Sequence, residues 1–173
     1  LWPDWNAPVA FVPIDGAEEL AVDGKSRINR DEAGWVVKIV DQLLSAGDLE
    51  PSDIGVVSPY SGQVQLLTDM FDGKGILAGE GDEEAGGLEI RSIDGYQGRE
   101  KEVIVLSTVR ANHDGEVGFL SDHRRLNVAI TRPRRGLIVV GCADTLRHDG
   151  DWEGWLDWVR DRKLEAWHVL QSY

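Results

Sequence analysis

Val103-Ile104-Val105-Leu106 and Leu137-Ile138-Val139-Val140 are apolar at every position, and Ile54-Gly55-Val56-Val57 is broken only by a glycine. A strand with one wet face alternates apolar and polar residues, whereas runs like these are covered on both faces. That requirement narrows the fold more than any other feature of the chain. Strands buried on both sides belong to a parallel sheet, and parallel strands need crossover connections, usually helices.

The segments between the runs supply those helices. Asn29 reads as an N-cap with Glu32 at the capping-box position, and Val36, Ile39, Val40, Leu43 and Leu44 follow at helical spacing as far as Gly47. A second helix is expected from about Ser61 to Phe71, with Val64, Leu67 and Met70 or Phe71 on one face. A third covers Leu126 to Ile130 after a cap at Ser121 or Asp122, burying Leu126 and Ile130 together. Trp152, Trp155, Leu156 and Val159 mark a last one. Val9 to Ile14, Leu88 to Ile93 and Val103 to Val109 read as strands, and Ala166 to Leu170 as an edge strand. The glycine- and acid-rich stretch 73–87 reads as an exposed loop. The expected fold is α/β, a parallel sheet with helices on both faces, in one domain over residues 1–173. Sheets of this kind bind ligands outside the carboxyl ends of their strands. That rule directs attention to Ser58-Pro59-Tyr60, Asp94 to Glu102 and Arg110 to Phe119.

Composition excludes several classes. One cysteine, Cys142, rules out a disulfide framework, and four scattered histidines give no metal-ligand spacing. No apolar run approaches the roughly 18 residues of a membrane span; no signal peptide opens the chain, an absence that says little where Leu1-Trp2-Pro3 reads as an internal cut. The net charge of −13 argues against nucleic acid, but its distribution does not. Residues 91–135 hold nine Lys/Arg and six Asp/Glu, a local net of +3, so the remainder carries −16.

Four stretches bear on chemistry. Gly24-Lys25-Ser26 imitates the end of a phosphate-binding loop, but the position five residues before Gly24 is Glu19 rather than glycine. Asp94-Gly-Tyr-Gln-Gly-Arg-Glu100 combines close-approach glycines with Gln97, a donor and acceptor, and Glu100, an acceptor for hydroxyls. Taken alone it is equally a tight turn with solvated charges. Arg124 to Arg135 holds five arginines around Leu126, Val128, Ala129 and Ile130. Pro133 ends the helix and leaves Arg132 at its terminus, where a planar, permanently charged fork suits phosphate, or simply faces solvent. Ser58-Pro59-Tyr60-Ser-Gly-Gln63 opens a helix after a buried strand, a weak phosphate-site signal. Trp2 and Trp5, like Trp152, Trp155 and Trp158, read as packing rather than stacking residues.

Together the last three stretches resemble the second RecA-like domain of superfamily 1 helicases of the up-frameshift type. The segments that carry the likeness are IGVVSPYSGQVQLL, SIDGYQGREKEVIVLSTVRAN and GEVGFLSDHRRLNVAITRPRRGLIVVG, in that order, and it runs to about Leu164. It implies a P-loop NTPase-type fold without a P-loop of its own. By the same resemblance Gln97, Gly98 and Glu100 belong to motif V at the nucleotide. Arg132 is the motif VI arginine finger, reaching the γ-phosphate as the catalytic residue. Ser58, Pro59, Tyr60 and Gln63, with Arg110 and Asn112, lie on the nucleic-acid side. ATP and Mg²⁺ are the implied cofactors, the Mg²⁺ ligands lying on a first RecA-like domain of the same polypeptide. Single-stranded RNA or DNA is the implied partner, with 5′-to-3′ movement, and decay or replication factors are further candidates. A monomer without membrane contact is expected, cytoplasmic, with the nucleus as the alternative. Two departures stand out. Pro133 replaces the family's alanine in Thr-Arg-Ala-Arg, and the Gln-Tyr-Arg-Met segment is not in this chain. A binding module that hydrolyses nothing, or a protein-interaction domain, remains the alternative.

Overall fold

The computed structural model describes residues 2–4, 6–78 and 86–166. Its centre is a five-stranded sheet in which every pairing is parallel. The strands are β1 (Val9–Pro13), β4 (Ile54–Ser58), β5 (Glu89–Ser92), β6 (Lys101–Ser107) and β7 (Pro133–Gly141), in the order β1-β7-β6-β4-β5. A two-stranded hairpin, β2 (Glu19–Leu20) and β3 (Arg27–Ile28), stands apart from it.

Alternate residues of the apolar runs feed two cores. Ala10, Val12, Val56, Val103, Val105, Ile138 and Val140 pack under α1 (Arg30–Ser45) and α2 (Ser61–Asp72). Phe11, Val57, Ile104, Leu106, Leu137 and Val139 face the other way, towards α3 (His123–Thr131), α4 (Ala143–Leu146) and α5 (Gly150–Asp161). Helices on both faces are thus what the uniformly apolar strands demand.

Several local expectations need amendment. β7 begins at Pro133, four residues before its apolar run, because Arg134 and Arg135 extend as an exposed strand start. In α3 the fully buried residue is Ala129, whereas Ile130 is 38% exposed and Leu126 half-buried. Both line a cavity of about 490 Å³ between α3 and α5, together with Trp152 and Trp155. Met70 of α2 is exposed, so Leu67 and Phe71 carry that helix's core contact. Gly24-Lys25-Ser26 forms the hairpin turn. The Asp23 carboxylate accepts from the amides of Lys25 and Ser26, and these bonds lower its pKa. Trp152 is buried and donates its indole N–H to the Leu120 carbonyl, as a packing residue should. Trp2 covers Gly136, where a Cβ would meet its ring. Edge pairing does extend past β1, since Ala166 donates to the Phe11 carbonyl. Residues 167–170 of the expected edge strand, Trp5 and the acidic run 80–84 lie outside the described residues.

Candidate nucleotide and strand sites

The sheet has two ends, and the sequence-predicted residues divide between them. β6 and β7 start together, with Lys101 opposite Pro133, and end together, with Ser107 opposite Val140. The seven residues of β6 separate those ends by about 20 Å. All three loops were expected outside the carboxyl ends. The Asp94–Glu102 segment instead leaves the carboxyl end of β5 and runs back across the sheet to the amino end of β6. Its fulcrum is Tyr96, fully buried, whose hydroxyl donates to the Glu89 carbonyl. Gly55 permits this, because a Cβ there would strike the Tyr96 hydroxyl. Burial holds the phenol well above its usual pKa, so it stays protonated.

At the amino end, Gln97, Gly98 and Glu100 are exposed. Gly98 has φ +79, a left-handed turn that aims the next residues back towards the sheet. Glu100 accepts from the Arg134 guanidinium at 3.0 Å. Arg132 lies beside it, its carbonyl accepting from the Lys101 amide. Arg132 is half-buried at the C-cap of α3, and its Nε is a buried donor with no partner. Its one side-chain hydrogen bond among the described residues runs from a terminal nitrogen to the neighbouring Thr131 hydroxyl.

That isolation is unusual within its own segment. Arg91, Arg99 and Lys101 converge on Glu89; Arg110 pairs with Glu18, and Arg125 with Asp94 and Asp122. Arg134 pairs with Glu100, and Arg135 with Asp48 and Glu102. Of the nine cations between 91 and 135, only Arg124 and Arg132 have no ion pair among the described residues. The basic segment is therefore largely neutralised, partly by Glu18, Asp48 and Glu89 from outside it. A buried guanidinium donor without an acceptor carries a cost that a bound anion would remove.

The carboxyl end is built differently. The side chains of Arg110 and Glu18 are 6% and 7% exposed, and their charged atoms meet at 2.9 Å. Glu18 also accepts from the Ala111 amide and the Asn112 side chain, and pairs with Arg27. Burial pushes the Glu18 pKa up, but the bonds from Asn112, Arg110 and Ala111 together outweigh it and leave the carboxyl below its usual range. Arg110 also donates to the Tyr60 hydroxyl.

A second knot lies beneath. Glu32 is fully buried and accepts from the Ser107 hydroxyl at 2.7 Å and the Val109 amide at 2.9 Å. Asn29 donates to the Val109 carbonyl, and Gln63 donates to Ser107 and to the Asn29 carbonyl. Asn29 does cap α1 through the Glu32 amide, as expected, but the Glu32 carboxyl turns inward rather than closing a capping box. Burial raises its pKa to about 7, against the hydrogen bonds from Ser107 and Val109. Val109 has φ +70, which a β-branched residue adopts only under constraint. Both its peptide groups are held by the start of α1.

These contacts correct part of the expected strand site. Ser58, Gln63 and Arg110 are buried and engaged within the chain, and Tyr60 is 4% exposed. Their side chains shape the surface rather than form it. Pro59 and Asn112 remain half-exposed, and Asn112 is tied to Glu18, Glu116 and Thr145. Sequence reading missed Glu18, Tyr96 and the inward role of Glu32. Only Glu32 left a trace, and its spacing from Asn29 pointed to the commoner role.

A parallel sheet covered on both faces by helices, with an arginine lacking an ion pair among the described residues where α3 hands over to the amino end of β7, is an α/β lobe of RecA-like type. The chain belongs to the family described as AAA domain, which matches residues 1–144. It is 41% identical over 163 residues to the Regulator of nonsense transcripts 1 homolog of Drosophila melanogaster, 94% of this chain and 14% of that protein. Against Regulator of nonsense transcripts 1 of Caenorhabditis elegans the identity is 45% over 149 residues, 86% of this chain and 14% of that protein. ATP-dependent helicase NAM7 of Saccharomyces cerevisiae is 37% identical over 93% of this chain and 16% of its own length. The chain thus spans about one seventh of the curated relatives it matches. The crystal structure of the C-terminal domain of a possible DNA helicase from Lactobacillus plantarum superposes with a TM-score of 0.51 at 15% identity. That likeness covers 80% of this chain and 74% of that one, and it concerns the fold.

Proposed function

We propose that this chain is the second motor lobe of an ATP-dependent helicase acting on single-stranded RNA or DNA, completing a nucleotide site whose other half is a first RecA-like lobe. The observation that carries the proposal is Arg132: half-buried, without an ion pair, its Nε unpartnered, beside Glu100 at the amino end of the sheet. An anionic triphosphate would supply acceptors for the guanidinium once the side chain turns its buried Nε outward, and a permanently charged fork fits that group. Arg132 neutralises charge that grows on the terminal phosphate as it transfers, a role worth more in the transition state than in the ground state. Gln97 and Glu100, exposed at the same end of the sheet, would hold the nucleotide's hydroxyls. Pro133 fixes the backbone immediately after Arg132 and begins β7, so it steadies the arginine rather than displacing it. No cluster of three His, Cys, Asp or Glu suited to a metal occurs among the described residues, so the partner lobe would hold Mg²⁺.

The strand would run over the carboxyl end, where Pro59 and the loop after β6 form a rigid surface. The knots of Glu18 and Glu32 hold that surface in shape. Opening and closing of the two lobes would then couple hydrolysis to stepping, with 5′-to-3′ polarity and a cytoplasmic or nuclear setting as part of the same proposal. The test is strand-stimulated ATP turnover by the full-length protein, compared with the 173-residue chain alone. Turnover is expected only when a lobe bearing a phosphate loop is present. Metal-dependent turnover by the isolated chain would overturn the shared site.

A further inference from the structure

Phe119 departs from the treatment given to the chain's other aromatic residues. Phe11, Phe71, Tyr96 and Trp152 are buried, whereas Phe119 is 55% exposed, the most exposed aromatic among the described residues. The exposure is not slack. Phe119 sits in a 3-10 turn, Gly118–Ser121, pinned on both sides. Leu120 is buried, its carbonyl accepts from the Trp152 indole, and the Phe119 carbonyl accepts from the Asp122 amide. Gly118 has φ +54, and a Cβ there would run into the Arg110 guanidinium and the Tyr60 hydroxyl. The turn therefore rests on the buried Arg110–Glu18 pair. Tyr60 backs the Phe119 ring at 5.5 Å between centroids, tilted by 46°, and the Arg125 guanidinium lies over the ring, 5.4 Å from its centroid, as a cation–π contact.

We propose that Phe119 is a stacking platform for one base of a bound single strand, with Arg125 beside it for the adjoining phosphate. The inference deepens the functional reading above and rests on it. The arrangement has the parts such a contact needs. Once Arg125 swings from the ring towards a phosphate, the ring offers a face that any base can cover, so the contact tolerates sequence. Arg125 is held by Asp94 at 3.3 Å and Asp122 at 3.7 Å, and its side chain is 37% exposed. Those bonds are weak and solvated, and a phosphate could take them over. Placement agrees as well: the ring adjoins Tyr60 at the carboxyl end of the sheet, on the surface assigned to the strand. The buried Tyr60 and Arg110 then act beneath the platform as positioning residues, which explains why polar groups that look like strand contacts point inward.

The test uses the full-length protein and labelled single strands of one length, DNA and RNA, each with normal bases or with a run of abasic sites. Fluorescence anisotropy reads affinity. Wild type should bind the base-bearing strand roughly tenfold more tightly than the abasic strand. Phe119→Ala and Phe119→Leu should lose that preference, bind the abasic strand as wild type does and keep the wild-type thermal midpoint, and Phe119→Trp should retain the preference. A Phe119→Ala protein that binds base-bearing strand as tightly as wild type overturns the proposal. So does a variant weakened equally towards both strands with a lowered midpoint, which would make the ring structural. Affinity for the base-bearing strand kept by Phe119→Leu but lost by Phe119→Ala would overturn stacking and leave an apolar contact with the strand in its place. Failure of wild type to bind any single strand would overturn the functional reading itself, a result distinct from the others.

Discussion

The two ends of one sheet handle charge in opposite ways. At the carboxyl end, Arg110 is buried against Glu18, and Glu32 and Gln63 bind the neighbouring backbone, so each polar group has several partners. At the amino end, Glu100 and Arg134 form an exposed pair and Arg132 has none. Saturated networks hold geometry, because moving any member strands a buried partner. An unsatisfied donor holds nothing in place but is ready for a ligand. Local charge counts do not distinguish these cases. Both ends are rich in arginine, and only the partners separate a saturated support from an unsatisfied donor.

The largest test of that contrast is Arg132→Ala. In the full-length protein it should lower ATP turnover by about 10³–10⁵, the range for arginine fingers, while a urea titration gives wild-type stability. Nucleotide affinity should fall far less. Turnover within tenfold of wild type would remove Arg132 from the chemistry and leave its unpartnered Nε unexplained.

Arg110→Ala should behave in the reverse manner. It leaves the Glu18 carboxylate buried without its main partner, at a cost of about 3 kcal/mol or more. Denaturation midpoints should drop and strand affinity with them, while nucleotide binding at the far end holds. A stable variant that loses only strand affinity would restore Arg110 as a direct contact.

The two buried carboxyls should respond to pH with opposite sign. The folded-state pKa of Glu18 is depressed, so its contribution is present above the unfolded value near 4.5 and is lost as pH falls below it. That of Glu32 is raised to about 7, so the folded state holds a proton that the unfolded chain has released. Its contribution is complete below about pH 4.5 and declines as pH rises through 7, by up to about 3 kcal/mol. Urea midpoints at pH 5 and pH 8 should differ in wild type and converge in Glu32→Gln. An unchanged difference would place the titrating group elsewhere.

How much of this was legible beforehand depends on whether the determining signal is local. Strand burial was, because apolar runs such as Val103–Leu106 carry their own pattern, and the two-faced packing followed. Arg132 was placed at a helix end by Pro133 alone. The direction of the Asp94–Glu102 segment was not legible, since it depends on Tyr96 fitting over Gly55, some 40 residues away in the chain. Nor was the burial of Arg110, whose partner Glu18 lies 92 residues earlier. Long-range polar pairing has no period to read. Ile130 went astray for a related reason: helical spacing gives one apolar face, but not which part of it the neighbouring α5 leaves uncovered.

The smallest expected effect concerns Gly98, at the amino end of the sheet. A Cβ there would meet nothing within 4 Å, so Gly98→Ala creates no clash. Its cost comes only from φ +79, about 1–2 kcal/mol for an L-residue in the left-handed region. Asparagine tolerates that region better, so Gly98→Asn should cost less than Gly98→Ala. If the loop yields rather than bears the strain, stability will hardly change, but Glu100 will be re-aimed and KM for ATP will rise a few-fold. Denaturation and KM measured on both variants separate those outcomes. At Gly55 the same added methyl would strike the Tyr96 hydroxyl and Ile104 inside the core, so Gly55→Ala should lose far more stability. Equal losses at the two glycines would mean that the exposed loop is as tightly braced as the core, and the contrast between the two kinds of construction would fail there.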